Sequence, residues 1–470
     1  MPLFAEVVKV VKPARTDTDA STDQIPARFS LSFAQEQELR YLRSGRRAVA
    51  SLQASFRIDG PLDVMHLRDA LHAVVIRHDA LRLRVSEAEK EPEQWLAPPP
   101  PPEGILTCTL VKARSEEQFA VYASRLRARS LSTPWHLSRE LPFRFQLLRY
   151  TPQLHALLVD FPRLTSDGQS RKVFTQDLWR AYAAHSGERP GAAPEPVGDL
   201  SRTISDQRTR SITRSRTVNR TYWERKLAVI REHEGHRGRE ESSKSGVSGG
   251  PAEPQTVALT NKIQLMGDHL ADVRQHCRQH RCSPFQWIVS RFAHEIFRSE
   301  RRRYLEISVP IDTRAPRDSI LMGKFAMALP LLLERADDPD TILQHLKAEI
   351  MQTMRHRHVS DADMRAARAG LPADGTERRR GTVAVRSAQY DDEEAFPVTG
   401  TLHVTRAAFT PAVTYFSDGI DLAIEESPDR LSLVLHFDSR QYSKRDADTF
   451  AANLALGTRS CRDHPGGGQL

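Results

Sequence analysis

A stretch without hydrophobic periodicity interrupts the chain near its middle. Residues 235–256 read GHRGREESSKSGVSGGPAEPQT, a run of Gly, Ser, Pro and charged residues. We expect a flexible linker there, because such a composition buries too little apolar surface to fold. A chain of 470 residues is also too long for one small domain. We therefore predict an N-terminal lobe over 28–234 and a C-terminal lobe over 257–458, with a flexible N-terminus (1–27) and a tail (459–470).

Both predicted lobes mix strand-like and helix-like patterns. FRFQLLRY (143–150) and HALLVDF (155–161) alternate like the two strands of a hairpin. SPFQWIVSRFAHEIFRSE (283–300) has an apolar helical face, with Ser283 as a cap and Gln286 placed to complete a capping box. These patterns indicate a two-lobed α/β protein, and a cleft between lobes is a common place for a ligand.

Composition limits the class of partner. Lys and Arg exceed Asp and Glu by 68 − 60 = 8, and the pI is about 9.4. A basic surface favours acidic partners. Nucleic acid is disfavoured because the basic stretch 201–220 contains few aromatic residues to stack on bases.

No 18-residue apolar run and no signal peptide is present. With only four cysteines, we expect a soluble cytoplasmic protein with reduced thiols and no membrane contact.

Metal and cofactor motifs are weak. HCRQHRC (276–282) places His276 and His280 four residues apart on a predicted helix, a spacing that can direct two nitrogens at one metal. No second ligand pair has matching spacing, so the pattern favours a solvated helix end and no metal. The chain has no phosphate-binding glycine loop and no dinucleotide fingerprint. We therefore expect no cofactor.

The stretch HALLVDFPRLTSDGQSRKVF (155–174) is the strongest candidate for a functional site. It reads as a strand, a polar turn and a helix, a layout that suits an active site at a strand end. Where an ionisable base would be expected, the chain has Pro162 and Arg163.

Six segments in order resemble the condensation domains of nonribosomal peptide synthetases, in the chloramphenicol acetyltransferase-like superfamily. The third lies where the family's H-H-x-x-x-D-G signature belongs. The first is similar to the family's opening S-x-A-Q motif, although the usual Arg-Leu-Trp portion of that motif is degraded in this chain. The segments are LSFAQEQELRYL (31–42), RHDALRLRV (77–85), HALLVDFPRLTSDGQS (155–170), TYWERKLA (221–228), VPIDTR (309–314) with GKFAMALPL (323–331), and DGIDLAIEESPDRLSLVLHFD (418–438).

The resemblance implies a V-shaped pair of α/β lobes with a tunnel, to which carrier proteins deliver thioester-bound donor and acceptor. It implies that Asp167 pairs with an arginine, for which Arg314 is the candidate. By the same resemblance we assign three groups: catalytic Arg163, Asp167 and Gly168; substrate-binding Pro162, Ser166 and Met327; structural Arg77, His78 and Arg314.

The chain departs from the family where Pro162 and Arg163 replace both histidines of the signature. An arginine keeps its proton up to about pH 12 and so cannot be a general base near neutrality. His155 cannot substitute, because eight residues of strand span roughly 26 Å. A positioned base contributes about 10²–10⁴-fold, whereas holding two reactants together gives effective molarities of about 10⁵–10⁸ M. Slow condensation by positioning therefore remains possible.

Two functions stay open. The first is a free-standing, divergent transferase of natural-product biosynthesis that forms an amide or ester between substrates carried on acyl or peptidyl carrier proteins, with Arg163 as electrostatic helper. The second is an inactive module that docks a carrier protein, a synthetase or a tailoring enzyme. The condensation-like domain that recruits cytochrome P450 enzymes in glycopeptide synthetases is similar in having arginine at the second histidine position, but it keeps the first histidine.

Overall fold

The computed structural model describes most of the chain. The described residues are 6–11, 27–43, 51–86, 88, 90–131, 133–186, 196–212, 214–234, 258–300, 302–369, 382–389, 401–407 and 419–458. The linker predicted at 235–256 and the tail predicted at 459–470 lie outside them.

Strands and helices alternate along the described ranges. The strands are β1 (Glu6–Val11), β2 (Phe29–Ser30), β3 (Ser51–Asp59), β4 (Leu83–Val85), β5 (Glu93–Leu96), β6 (Leu106–Lys112), β7 (Arg144–Thr151), β8 (Leu154–Pro162), β9 (Ala258–Met266), β10 (Tyr304–Asp312), β11 (Ala326–Glu334), β12 (Thr382–Gln389), β13 (His403–Arg406), β14 (Gly419–Glu426) and β15 (Arg430–Asp438). The helices are α1 (Phe33–Arg43), α2 (Val64–Arg77), α3 (Glu116–Leu131), α4 (Gly168–His185), α5 (Leu200–Ile212), α6 (Arg214–Glu234), α7 (Gly267–Gln279), α8 (Pro284–Ser299), α9 (Pro339–Arg355), α10 (Asp361–Arg368) and α11 (Lys444–Gly457).

These elements form two compact units that are not contiguous in sequence. The first contains the described residues of Met1–Thr209, Thr313–Ala326 and Asp392–Val413, and the second contains the remainder. The division therefore differs from the predicted one, in which each lobe is a single stretch. Two segments of the C-terminal half join the first unit because one pairs with its sheet and the other binds the start of α4.

The first unit is built on a six-stranded sheet in the order β1-β6-β7-β8-β3-β13. β7 and β8 form the predicted antiparallel hairpin, and β13 adds to β3 at the sheet edge. A smaller sheet has the order β2-β5-β4. All nine residues of β8 are buried, because the strand has neighbours on both sides, α4 packs on one face of it and α3 packs on the other.

Helix α4 packs on this sheet through an aromatic core. The rings of Phe161 and Phe174 meet edge to face at 4.9 Å, and those of Phe56 and Trp179 at 5.4 Å. All four side chains have no exposed surface. Such pairs add to the hydrophobic stabilisation from the area they bury. They fix the start of α4 against the end of β8, which is where the candidate site lies.

The second unit has its own six-stranded sheet in the order β11-β10-β12-β14-β15-β9. Its long helix α8 begins as predicted, with Ser283 and Gln286 forming a capping box. The apolar face of α8 packs against α11, where the ring of Phe450 contacts both Phe292 and Phe437. The mixed α/β composition predicted for both halves is confirmed.

The N-terminal segment 1–27, predicted to be flexible, contains regular structure. Residues Glu6–Val11 form β1, which pairs antiparallel with β6. The sequence EVVKVV explains this, because valine favours strands and an open sheet edge offers unpaired hydrogen-bonding groups. Residues 1–5 and 12–26 lie outside the described residues.

Helix hydropathy and cysteine pairing can be described for the same ranges of the chain. None of their helices combines the length and the apolar character that crossing a bilayer requires. Cys108, Cys277 and Cys282 are free thiols in that part of the chain.

Candidate functional site

Strand β8 delivers the candidate site to the end of the first sheet. Its last residue, Pro162, is opposite Ser51 of β3. The proline suits this place because it lacks the N–H that a continuing ladder would need. The Thr165 N–H donates to the Pro162 carbonyl at 3.1 Å and closes a tight turn. The chain therefore leaves the sheet at Pro162 and reverses within three residues.

The two residues after Pro162 differ in burial. Leu164 packs into a small cluster with Leu31, Val85 and Leu137. Arg163, the residue before it, is only half-buried. The buried leucine fixes the backbone of the turn from which the Arg163 side chain extends. This is the residue that occupies the place of the family's second histidine.

Ser166 is enclosed in the same turn. Ser166 is 1% exposed, and its hydroxyl makes no hydrogen bond to any residue that the structure describes. A buried hydroxyl without a partner is costly. This is compatible with the predicted substrate-binding role of Ser166, which stays a prediction.

Asp167 caps helix α4. Its Oδ1 accepts from the Ser170 N–H at 3.0 Å, and the Ser170 hydroxyl lies 3.3 Å from the Asp167 N–H. This reciprocal capping box satisfies backbone donors that the first helical turn leaves open. The negative charge also stands at the positive end of the helix dipole. The residues TSDGQS thus form the turn and the helix start together.

The predicted partner of Asp167 is confirmed by the geometry. Arg314 Nη1 donates to Asp167 Oδ2 at 2.8 Å, and Nη2 donates to Oδ1 at 3.0 Å. Both side chains are 2% exposed. The guanidinium also donates to the carbonyls of Leu321 and Gly323, and it stacks over the ring of Phe325. Arg314 is therefore held on several sides, which a buried ion pair needs to be stable.

The charge state of Asp167 follows from these contacts. Burial alone would raise the pKa of its carboxyl group. The Arg314 charge and hydrogen bonds, with backbone donors of Ser170 and Phe325, outweigh burial and lower the pKa to about 2. Asp167 is therefore an anion at neutral pH. An anion bound to arginine on both oxygens is suited to shaping the turn and not to moving protons.

The segment 313–326 encloses the start of α4. The Ser170 hydroxyl donates to the Gly323 carbonyl at 2.8 Å, and the Gly323 N–H lies 3.0 Å from the same hydroxyl. The Phe325 N–H donates to Asp167 at 3.0 Å. Ser170 and Gly323 were not predicted as site residues. The Asp-x-x-Ser spacing of a capping box could have indicated Ser170, whereas only the fold brings Gly323 to it.

Gly168 differs from this enclosed arrangement. It is the first residue of α4, it is exposed, and a Cβ built there has no atom within 4 Å. Local space therefore does not require a glycine at this position. The catalytic role assigned by resemblance stays a prediction.

Arg77 and His78 act together at the end of α2. Arg77 Nε donates to Asp177 Oδ2 at 2.8 Å, and His78 Nε2 lies 2.8 Å from the same oxygen. Burial raises the pKa of Asp177, but its hydrogen bonds and electrostatic interactions with His78 and Arg77 outweigh burial and lower that pKa. Asp177 lies on α4, so the three residues join α2 to the site helix. This agrees with the structural roles predicted for Arg77 and His78.

Met327 lies in β11 of the second unit and is 1% exposed. It is thus on a different unit from Pro162, Arg163 and Ser166. Its predicted role in substrate binding stays a prediction.

His155 is remote from Arg163, as its spacing predicts. It pairs with Ile58 at the opposite end of β8 from Pro162. Burial first, and then the charge of Arg149, lower the pKa of His155 to about 4. The other polar residue of the strand, Asp160, forms a buried ion pair with Arg127 at 3.1 Å. The ion pair joins α3 to β8.

Comparison with known families agrees with this geometry. A family model described as condensation domain matches residues 28–366, which is well over half of the chain. The chain belongs to the condensation domain family. The turn after β8 is therefore the place of the family signature, and this condensation domain carries PRLTSDG there.

Sequence relatives of this condensation domain are large synthetases. It is 27% identical over 350 residues to the phosphinothricin tripeptide synthetase PhsC of Streptomyces viridochromogenes, covering 73% of this chain and 30% of that protein. It is 28% identical over 352 residues to the isonitrile lipopeptide synthase of Mycobacterium tuberculosis, covering 72% of this chain and 13% of that protein. The chain thus spans less than a third of either relative.

Solved structures share the fold. The first condensation domain of the calcium-dependent antibiotic synthetase matches with a TM-score of 0.70 and 18% identity, over 92% of this chain and 97% of that one. The X-domain from teicoplanin biosynthesis matches with a TM-score of 0.69 and 20% identity, over 94% and 97%. The two α/β units therefore have the chloramphenicol acetyltransferase-like fold of condensation domains.

Proposed function

We propose that this condensation domain forms an amide bond between two carrier-bound substrates, using Arg163 in place of the family's catalytic histidine. One observation carries the proposal: the turn that presents Arg163 is intact, with Asp167 capping α4 and bound on both oxygens by Arg314. The buried pair holds the turn that carries Arg163 in the place of the signature histidine. The signature's architecture is kept although its base is replaced.

The proposed step needs no protein base. The acceptor amine attacks the donor thioester carbonyl, the C–N bond forms and the C–S bond breaks. The phosphopantetheine sulfur leaves as a thiolate and takes up the proton that the amine loses. Arg163 stays protonated throughout and donates hydrogen bonds to the oxyanion that forms on the carbonyl oxygen. It therefore lowers the barrier without accepting a proton.

This chemistry favours amines over hydroxyls as acceptors. An α-amino group has a pKa of about 8, so a useful fraction is neutral at pH 7. A hydroxyl is a poor nucleophile until a base removes its proton, and Arg163 cannot do so. The narrower proposal is amide formation from an aminoacyl carrier protein, with ester formation much slower.

A docking role is the second candidate. A structure of the X-domain in complex with OxyB from teicoplanin biosynthesis matches this chain with a TM-score of 0.68. That likeness supports a module that binds a tailoring enzyme or a carrier protein without forming a bond. The basic net charge of the chain suits an acidic partner in either case.

The deciding experiment combines donor-loaded and acceptor-loaded carrier proteins with the protein and follows condensation by mass spectrometry. We expect amide product, and a rate that rises with pH as the acceptor amine deprotonates. Arg163→Ala should lower the rate about 10²–10³-fold, the usual effect of removing one oxyanion donor. Arg125→Ala, an exposed arginine on α3, is the control and should react like wild type.

The outcomes separate the two candidates. Carrier binding without product from the wild-type protein would support the docking module. Product formation that is equal in the wild type and in Arg163→Ala would retain condensation but remove Arg163 from the mechanism. Hydroxyl acceptors that react as fast as amines would contradict the absence of a base.

A further inference from the structure

Two histidines at the end of α7 meet a carboxylate from another helix. His276 and His280 lie one helical turn apart, and their rings stack with centroids 4.1 Å apart. Asp340, in the first turn of α9, faces them. One ligand atom from each residue lies within 4.8 Å of those from the other two. All three residues belong to the second unit.

One donor atom of this group is buried without a bond. His276 Nε2 has no solvent-exposed surface and makes no hydrogen bond to the residues that the structure describes. Asp340 Oδ1 lies 3.9 Å from it, too far for a hydrogen bond. A buried ring nitrogen left in this way calls for an explanation. A metal ion between the nitrogen and the carboxylate would supply one.

We propose that His276, His280 and Asp340 form a binding site for a divalent transition metal, for which Zn²⁺ is the natural occupant. Two imidazoles and one carboxylate are ligands that zinc accepts, whereas Ca²⁺ and Mg²⁺ prefer oxygen alone. Ligands around a tetrahedral zinc stand about 3.3 Å apart at the usual bond lengths. The three side chains must therefore draw together by rotation about their side-chain bonds. A water molecule would complete the coordination.

Arg291 sets the strength of the site. Its Nη2 donates to Asp340 Oδ1 at 2.7 Å, which orients the carboxylate as outer partners of metal ligands do. Its positive charge also repels a cation. The same Oδ1 is the oxygen that lies 3.9 Å from His276 Nε2, so a metal ion would share it with Arg291. We therefore expect an affinity below that of structural zinc sites with four protein ligands.

The site would tie α7 to α9. His280 and Asp340 are 60 residues apart in the sequence. One bound ion would therefore link the end of α7 to the start of α9. This role is independent of condensation, since no residue of the site lies in the PRLTSDG turn. The sequence alone disfavours a metal here because HCRQHRC has no second ligand pair. The fold supplies the missing ligand from α9.

The test uses the full chain stripped with a chelator and titrated with ZnCl₂ by calorimetry. We expect one ion per chain, and a thermal midpoint that rises with zinc because the ion binds the folded state. His276→Ala and His280→Ala should each weaken binding at least tenfold. His269→Ala, an exposed histidine on the same helix, is the matched control and should bind like wild type.

A third variant and a second metal complete the zinc-binding experiment. Asp340→Asn preserves side-chain shape and should also weaken zinc binding if the alanine variants fold poorly. Titration with Co²⁺ reports the ligand type, since Cys277 and Cys282 are nearby thiols. A thiolate-to-cobalt charge-transfer band would assign the metal to the cysteines and overturn the proposal. So would wild-type protein that binds no zinc, or binding that all histidine variants retain.

Discussion

At the scale of single residues, the ion pair between Asp167 and Arg314 controls the candidate site. Both groups are enclosed, and each has its charge satisfied by the other and by backbone groups. Removing one partner of a buried pair leaves an uncompensated charge, which costs more than the pair itself contributes. The turn that presents Arg163 depends on this pair because Asp167 also begins α4.

Arg314→Met should therefore lower the free energy of unfolding by about 3–5 kcal/mol. Arg317→Met is the matched control three residues away: its side chain is 66% exposed and pairs with Asp206 at 3.5 Å. Exposed pairs contribute about 0–1 kcal/mol. Urea unfolding at pH 7 measures both. Equal losses in the two variants would contradict the assigned importance of the buried pair.

His155 makes stability sensitive to mild acid. The pKa of His155 in the folded protein is about 4, below the ordinary histidine value near 6.5. Between these two pH values the histidine is protonated in the unfolded chain but neutral in the folded chain. Stability is complete above pH 6.5 and falls as the pH drops towards 4. The difference amounts to about 2 kcal/mol between pH 7 and pH 5.

His155→Leu should remove this loss, so that urea midpoints at pH 7 and pH 5 differ less than in wild type. His185→Leu, which changes an exposed histidine at the end of α4, should keep the wild-type dependence. An unchanged pH dependence in His155→Leu would show that other groups cause the acid sensitivity.

At the scale of elements, the start of α4 is joined to the segment 313–326 through close backbone approach at Gly323. A Cβ at Gly323 would stand 2.5 Å from a ring carbon of Phe325. That ring is fully buried and packs under the Arg314 guanidinium, so it cannot move aside easily. The same segment supplies the backbone donors that bind Asp167. Its fit against α4 therefore depends on the missing side chain.

Gly323→Ala should lower the free energy of unfolding by about 1–3 kcal/mol through overpacking. Gly168→Ala is the matched comparison at the other side of the same contact, since nothing lies within 4 Å of its added Cβ. Alanine in the first turn of a helix should leave stability equal or slightly higher. Thermal midpoints of the two variants test the contrast. If Gly168→Ala lowers the thermal midpoint more than Gly323→Ala does, local packing does not explain the need for glycine at these positions.

At the scale of the whole molecule, two α/β units are built from interleaved parts of one chain. The net charge of +8 is spread over that chain and affects association with acidic partners. Long-range attraction acts mainly on the rate of encounter and is screened when the Debye length shrinks.

Association with an acidic carrier protein should therefore slow markedly as NaCl is raised from 50 to 500 mM, with a smaller effect on dissociation. This rests on the proposed carrier partners, and stopped-flow or surface measurements give both rates. A carrier with its surface carboxylates replaced by amides is the control and should associate slowly at every salt concentration. Rates that do not change with salt would contradict electrostatic recognition.

Local patterns predicted elements in both units. The hairpin of β7 and β8 and the capping box of α8 depend on residues close in sequence, and both were readable from alternation and spacing. The strand β1 was not predicted, because its six residues become a strand by pairing with β6 about a hundred residues away. Patterns indicate which segments can be strands, while pairing decides which of them are.

Some features of the candidate site also follow from the sequence, and others follow only from the fold. The sequence alone determined the replacement of the signature histidines by Pro162 and Arg163, and hence the loss of a base, because protonation follows from residue type. The family resemblance named Arg314 as the candidate partner of Asp167, whereas only the tertiary structure decided that Gly323 binds Ser170 at the same helix start and that Asp340 joins His276 and His280. Gly323 is 153 positions from Ser170 in the sequence, and Asp340 is 60 positions from His280. Hydrogen bonds and ligand sets act over a few ångströms, so they exist only once the chain has folded.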